Sequence, residues 1–207
     1  MAFRLTPLDG RVHDLVATSA RLVEDACREL SYALGSDPAG RTAAYTALSE
    51  VLATSDGVTE ELVGRIASSF VTPLDHRDLH AIARGLQSAT ERLVAAGELA
   101  QLHSLDPVPG GLLDLVTVVS LMADLTGDGL PRLRADGPLL TYAAEVQRLG
   151  VRAGAVHRRL VADRLGDERT KVRAGLKVVS VADEVLAAAA ALRAVATVAE
   201  GAAVTGS

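Results

Sequence analysis

Apolar side chains in this sequence recur every three or four residues, and almost none of them is aromatic. Of the 207 residues, 49 % are hydrophobic, yet there is no Trp and the aromatic side chains are confined to Phe3, Tyr32, Tyr45, Phe70 and Tyr142. The core must therefore be built from Leu, Val, Ile and Ala, of which Leu and Ala are strong helix formers. Alternating, strand-like segments are nearly absent. The sequence predicts an all-α protein.

The charge balance disfavours several classes of partner. The formal net charge is -5 at pH 7, whereas nucleic-acid affinity comes mainly from basic side chains that neutralise phosphates. Anionic lipid surfaces attract polybasic segments and repel a net negative charge. We therefore expect no nucleic-acid partner, and we expect any association with a membrane to be made through a protein receptor.

Cysteine content and hydropathy bear on the compartment. Cys27 is the lone cysteine, so an internal disulfide is excluded and a reducing cytoplasm is expected. No run of 18 uncharged apolar residues is present, and the first residues lack the apolar core of a signal peptide. These features predict a cytoplasmic protein without direct insertion into a membrane.

Gly and Pro residues divide the chain into six predicted helices. The break at Thr72-Pro73 is the sharpest, because a residue before Pro avoids the helical region and Asp75 can then cap the next helix. Two prolines and two glycines in 106–111 predict a linker between two halves. The prediction is six long antiparallel helices in two three-helix bundles, 1–105 and 112–200, followed by a frayed tail at 201–207.

The predicted apolar faces mark the core. On the first helix the face comprises Leu15, Leu22, Val23, Cys27, Leu30 and Leu34, and on the third it comprises Leu79, Ile82, Leu86, Leu93 and Leu102. The alanines of 187–191 on the sixth helix have two interpretations. They either let core helices approach closely, which is the default, or form a face that docks on a partner or a second copy of the chain.

Four segments carry a family resemblance. The segment 66–79, IASSFVTPLDHRDL, resembles the helix-turn-helix signature of the PhoU-like phosphate transport regulators, and specifically the branch often paired with low-affinity inorganic phosphate permeases. FRLTP at 3–7 resembles the opening of that family, and EVQRL at 145–149 with VHRRL at 156–160 resembles its fifth helix. The resemblance implies a non-enzymatic regulator of phosphate uptake with a phosphate permease as its partner.

Many members of that family carry acidic pairs four residues apart, which hold multinuclear iron or zinc clusters. Carboxylates at i and i+4 share one helix face, so two helices can offer several oxygens to a cation. In this chain the matching positions are mostly not acidic: Leu52 and Asp56, then Gln87, Ser88 and Glu91, then Gly150 and Gly154, and an aliphatic stretch at 186–190. The resemblance leaves Asp56 and Glu91 as candidate ligands for a weakly bound ion.

Other chemistry-bearing residues have simpler interpretations. His76 and His80 stand four residues apart, but neither a Glu after the first His nor a third ligand is evident. His157 is a candidate for contact with an anion or an acidic partner, while His13 and His103 are isolated in the sequence. Cys27 fits a buried apolar stripe better than a nucleophile. No phosphate-binding loop or catalytic constellation is found, so we expect a protein that is not an enzyme and has no required cofactor.

Three functional hypotheses remain after this survey. The first is an accessory protein that contacts a phosphate permease at the inner face of the membrane. The second is a helical bundle with a residual iron or zinc site at Asp56 and Glu91. The third is a scaffold that forms a homodimer through the Ala-rich helix and serves another client.

Overall fold

The computed structural model describes residues 7–68, 75–132, 136–166 and 171–205. Within these ranges the regular structure is entirely helical, which confirms the predicted all-α fold. Six α-helices are present there: α1 Pro7–Gly35, α2 Pro38–Ser68, α3 His76–Leu102, α4 Gly110–Gly129, α5 Asp136–Gly166 and α6 Val172–Thr205. A short 3-10 turn, Leu130–Arg132, follows α4.

The helix boundaries follow the local chemistry of the chain. The carboxylate of Asp75 accepts a hydrogen bond from the backbone N–H of Arg77 at 2.8 Å, so the predicted N-cap of α3 is confirmed. The first helix ends at Gly35, although no glycine among the described residues has a positive φ. The Thr72-Pro73 break itself lies outside the described residues.

Two predicted boundaries differ from the structure. Gly110 and Gly111, predicted as part of a linker, already belong to α4, so the connection between α3 and α4 is 103–109. The predicted frayed tail is wrong for 201–205, because α6 continues to Thr205. Buried Ala199 and Ala202 extend the apolar face of α6, which explains why the helix does not end earlier.

Four of the six helices form a ring, and the other two helices pack outside this ring. Sequential neighbours are antiparallel, and α1 contacts α4 while α3 contacts α6, so these four helices enclose the centre. Helix α2 packs over α1 and α3, and α5 packs over α4 and α6. One continuous cluster of buried side chains includes residues from all six helices. Whether each predicted three-helix half folds by itself stays a prediction.

The predicted core is confirmed on α1 and on most of α3. All six residues of the predicted α1 face are buried, and so are Leu79, Ile82, Leu86 and Leu93 on α3. The prediction for Leu102 is wrong, because its side chain is 78 % exposed. Leu102 lies in the last turn of α3, at the open end of the bundle, where fewer neighbouring helices are available to cover it.

The Ala-rich segment of α6 faces the core of its own chain. Ala188, Ala189, Leu192 and Ala196 are buried, while Ala190 is exposed. The small side chains allow α6 to pack against three helices, α3, α4 and α5. The core interpretation is therefore confirmed for the buried residues, and homodimer formation through this helix stays a prediction.

One described helix meets the length and hydropathy criteria for a membrane span. This is α4 with its following turn, Gly110–Arg132, whose most apolar window has a mean hydropathy of 1.4. Core helices of folded proteins meet the same criteria. In this chain Leu115, Val119 and Met122 of α4 are buried in the shared core.

The two halves pack closely at Gly85 on α3. A Cβ atom at this position would lie 2.5 Å from Cγ2 of Val195 on α6. Val195 is buried and β-branched, so its side chain has little freedom to move away. The absence of a side chain at Gly85 therefore permits the observed distance between α3 and α6.

We expect Gly85→Ala to destabilise the protein by about 1–3 kcal/mol, because an extra methyl group in a packed interface forces side chains or backbone to shift. Gly57→Ala is the matched control, since nothing lies within 4 Å of a Cβ at this exposed position of α2. The control should gain up to about 1 kcal/mol from the better helix propensity of Ala. Chemical denaturation measures both, and equal stability of the two variants would contradict the interpretation.

Candidate functional site

The first candidate site lies between α2 and α3, where the resemblance places Asp56 and Glu91. The amide Nε2 of Gln87 donates a hydrogen bond to Oδ1 of Asp56 at 2.9 Å. Arg84 in turn donates to Oε1 of Gln87 at 2.9 Å. The neighbour of Asp56 is therefore an amide, itself bonded to a guanidinium, where a second carboxylate would be needed to strengthen a cation site.

Glu91 is one helical turn beyond Gln87 on α3. The antiparallel register of α2 and α3, fixed by the Asp56–Gln87 hydrogen bond, places Glu91 at the level of Leu52 rather than Asp56. Each acid of the candidate pair thus faces a residue that is not acidic. Within the described residues no group of three or more His, Cys, Asp or Glu side chains is placed to hold a metal ion. The metal-binding role of Asp56 and Glu91 stays a prediction.

Gly150 is another position at which the resemblance would place an acidic residue, and it lies between α5 and α6. The side chain of Arg193 on α6 crosses Gly150, with Cγ only 2.7 Å from an ideal Cβ. Nε of Arg193 donates to Oε1 of Gln147 at 2.8 Å, and Nε2 of Gln147 donates to Oγ1 of Thr197 at 2.9 Å. A cation already belonging to the chain occupies this face. Sequence reasoning missed these residues, because Gln147 and Arg193 are far apart in the chain.

The histidines have partners within the chain or point outward. His76 and His80 are both exposed near the start of α3. Nε2 of His157 lies 2.7 Å from Oδ1 of Asp183 on α6, so its acidic partner is intramolecular. Two histidines that are isolated in the sequence also have partners. Nε2 of His13 lies 2.6 Å from the carbonyl oxygen of Pro131, and Nε2 of His103 lies 3.0 Å from the hydroxyl oxygen of Ser180. These contacts tie neighbouring helices together.

Cys27 is buried between helices, as its place in the apolar stripe predicted. Burial raises the pKa of the thiol to about 12, although a hydrogen bond with Ser120 opposes the shift. The thiol is therefore protonated at neutral pH, and a nucleophilic role requires the thiolate. The geometry favours the structural interpretation of Cys27.

An acidic group lies where α1 meets α4. The carboxylate of Glu24 packs against Gly127, which leaves room for it because glycine has no side chain. Partial burial raises the pKa of Glu24, and the nearby carboxylates of Asp124 and Asp128 raise it further. Ionised Glu24 therefore disfavours the contact between α1 and α4.

A cleft lies between α4 and α5. It has a volume of about 570 Å³ and is lined by charges of both signs, with Arg152 and Arg159 beside Asp114 and Asp163. The mixed lining gives no electrostatic preference for anions or for cations. This cleft therefore defines no class of ligand.

Comparison with known proteins adds no assignment. No protein-family model matches the chain, and no curated protein is significantly similar to it. The PhoU-like resemblance therefore rests on the sequence segments named above. Of the segment 66–79, residues 69–74 lie outside the described residues.

We expect iron and zinc to be present well below one ion per chain when the protein is purified without chelators. Two carboxylates offset by one turn supply too few oxygens for tight binding of either ion. Metal analysis should give the same content for the Asp56→Asn, Glu91→Gln double variant and for the control Glu60→Gln, an exposed acid on α2. Stoichiometric metal that disappears in the double variant alone would contradict this expectation.

We expect Glu24→Gln to stabilise the protein at pH 7 by less than about 1 kcal/mol, because the group is mostly solvated and its repulsions are screened. The pKa of Glu24 is higher in the folded chain than its ordinary 4.5, so the destabilisation appears as the pH rises through that value. The gain from Gln should therefore vanish in acid. Denaturation of the variant and wild type across pH tests this, with exposed Glu50→Gln as control. A gain that persists in acid would assign the effect to packing.

Proposed function

We propose that this protein is a non-enzymatic accessory protein of inorganic phosphate transport that acts through contact with a phosphate permease. The observation that carries the proposal is the segment 66–79, which resembles the PhoU-like signature. In the described part of this segment, Asp75 begins α3 through its hydrogen bond to the backbone N–H of Arg77. The order of six long helices agrees with that family and adds to the support.

The physical mechanism we propose is a shift in the conformational equilibrium of the permease. A partner changes such an equilibrium only when it binds one conformation more tightly than the other. The helices of this chain share one continuous core, so a helix face can act as a preformed surface that distinguishes two arrangements of the permease. The protein in this proposal is cytoplasmic and lies at the inner face of the membrane.

Deletion of the gene tests the proposal in the native host. At equal permease abundance, we expect the initial rate of phosphate uptake to change by about fivefold, at the lower end of typical couplings between binding sites. A plasmid copy of the wild-type gene should restore the rate. Uptake of an unrelated solute through another permease is the control for a general effect on the membrane. Unchanged phosphate uptake would count against the proposal.

Physical contact is a separate requirement of the same proposal. The tagged protein should enrich a phosphate permease from gently solubilised native membranes, as identified by mass spectrometry. The tagged Gly57→Ala variant, altered at an exposed position remote from the core, should enrich the same permease unless that face of α2 is the contact. Recovery of the protein alone from such membranes would argue for a self-associating scaffold or another client.

A further inference from the structure

One end of the bundle combines exposed leucines with basic side chains. This end is formed by the last turns of α3 and α5 and the first turns of α6, and we call it the basic apolar end. Its exposed apolar residues are Leu102, Leu165, Val172 and Leu176, and its basic residues are Arg164, Lys171, Arg173 and Lys177. Both lysines of the entire sequence belong to this set.

The contacts show that these residues form one surface. Leu102 and Leu176 line a cleft of about 550 Å³ together with Arg173 and Lys177. Lys177 also lines an adjoining cleft of about 290 Å³, in which Arg164 takes part. Leu165 lies 3.4 Å from an ideal Cβ at Gly175, in the first turn of α6. The apolar and basic groups are therefore interleaved.

The charges at the start of α6 are opposite to those that a helix favours. The N-terminus of a helix carries a partial positive charge and is stabilised by acidic side chains. Helix α6 has no acidic residue in its first turn and has Lys171 and Arg173 there instead. An anion at this position would interact favourably with these side chains and with the positive end of the helix dipole.

Arg164 is a further basic side chain at this end and lies in the last turn of α5. Its Nε atom is buried, and it has no hydrogen-bond acceptor among the described residues. Phosphate oxygens match the geometry of a guanidinium.

The acids nearest to this end do not outnumber its basic residues. In the sequence, the segment 164–177 has five Arg and Lys residues against the two acids Asp167 and Glu168, a net charge of +3. Asp106 lies 3.6 Å from Arg41, and Asp163 lines the cleft between α4 and α5 with Arg152 and Arg159. Glu98 precedes Leu102 by one turn of α3, further from the end. The surface formed by α3, α5 and α6 is therefore locally positive although the whole chain has a net charge of -5.

We propose that the basic apolar end binds the surface of an anionic phospholipid bilayer. The leucines and Val172 enter the boundary between headgroups and acyl chains, while Arg164, Lys171, Arg173 and Lys177 contact lipid phosphates. A soluble acidic protein would satisfy the charges but gives no reason for four exposed apolar residues among them. A free phosphate ion leaves these residues unexplained as well.

The net negative charge of the chain does not prevent this binding. Helix α6 has 34 residues, which correspond to a length of about 50 Å. The Debye length at physiological ionic strength is about 8 Å, so acids at the far end of the bundle are screened from the bilayer. The local charge decides the interaction, so this proposal departs from the expectation that membrane association requires a protein receptor.

Vesicle sedimentation with the full chain tests the proposal without any permease. The protein should sediment with vesicles of phosphatidylglycerol and phosphatidylcholine in equal parts, but not with vesicles of phosphatidylcholine alone. Added salt should weaken binding. Because the vesicles contain no protein, this result is independent of the proposed role in phosphate transport, which the uptake assay tests separately.

Charge reversal identifies the surface. Lys171→Glu with Arg173→Glu should weaken vesicle binding at least about tenfold, because each basic residue near an anionic surface contributes appreciably. These changes place acids at the start of α6, where they favour the helix, so unfolding is not expected to cause the loss. The control, Arg77→Glu with Arg132→Glu, changes the net charge equally and alters exposed residues at the opposite end of the bundle. It should retain at least half of the binding.

Leucine substitutions separate lipid contact from charge attraction alone. Leu165→Ser with Leu176→Ser should weaken binding to the mixed vesicles, while Leu121→Ser with Leu140→Ser, at leucines of similar exposure elsewhere, should not. Three outcomes would overturn the proposal: no sedimentation with anionic vesicles, equal losses in the Lys171/Arg173 variant and its control, or abolition of vesicle binding by millimolar inorganic phosphate at constant ionic strength. The last would assign the basic groups to a free anion.

Discussion

The close packing of α3 against α6 is the contact on which the arrangement of this protein depends. It joins the two halves of the chain, and at Gly85 no side chain separates the backbone of α3 from Val195 on α6. Small side chains on both helices bring the two backbones together, so that one continuous core replaces two separate ones. The ion pair of Arg92 with Glu184, 3.1 Å long, joins the same two helices. Because that pair is partly exposed, it adds little stability compared with the packing.

The same packing determines what the polar residues between helices can do. At the faces related to the acidic motifs, Asp56 is hydrogen-bonded to Gln87, and Arg193 is hydrogen-bonded to Gln147 beside Gly150. These contacts hold neighbouring helices together through amide and guanidinium groups of the chain itself.

Basic and acidic groups lie on different parts of the bundle. Basic and apolar groups meet at the end formed by α3, α5 and α6, whereas Glu24 and its acidic neighbours lie along the contact of α1 with α4. A molecule that meets an anionic bilayer with its basic apolar end would present the long sides of its helices to a neighbouring membrane protein.

The sequence by itself determined the helices and most of the core. Helical spacing of Leu, Val and Ala predicted the buried face of α1, and Asp75 marked the start of α3, because propensity, capping and periodicity act over a few residues. Only the tertiary structure decided that Leu102 is exposed, that Arg193 crosses Gly150 and that Lys177 shares a cleft with Arg164. These relations join residues distant in the chain, and they depend on the register in which the helices pack, which local sequence does not encode.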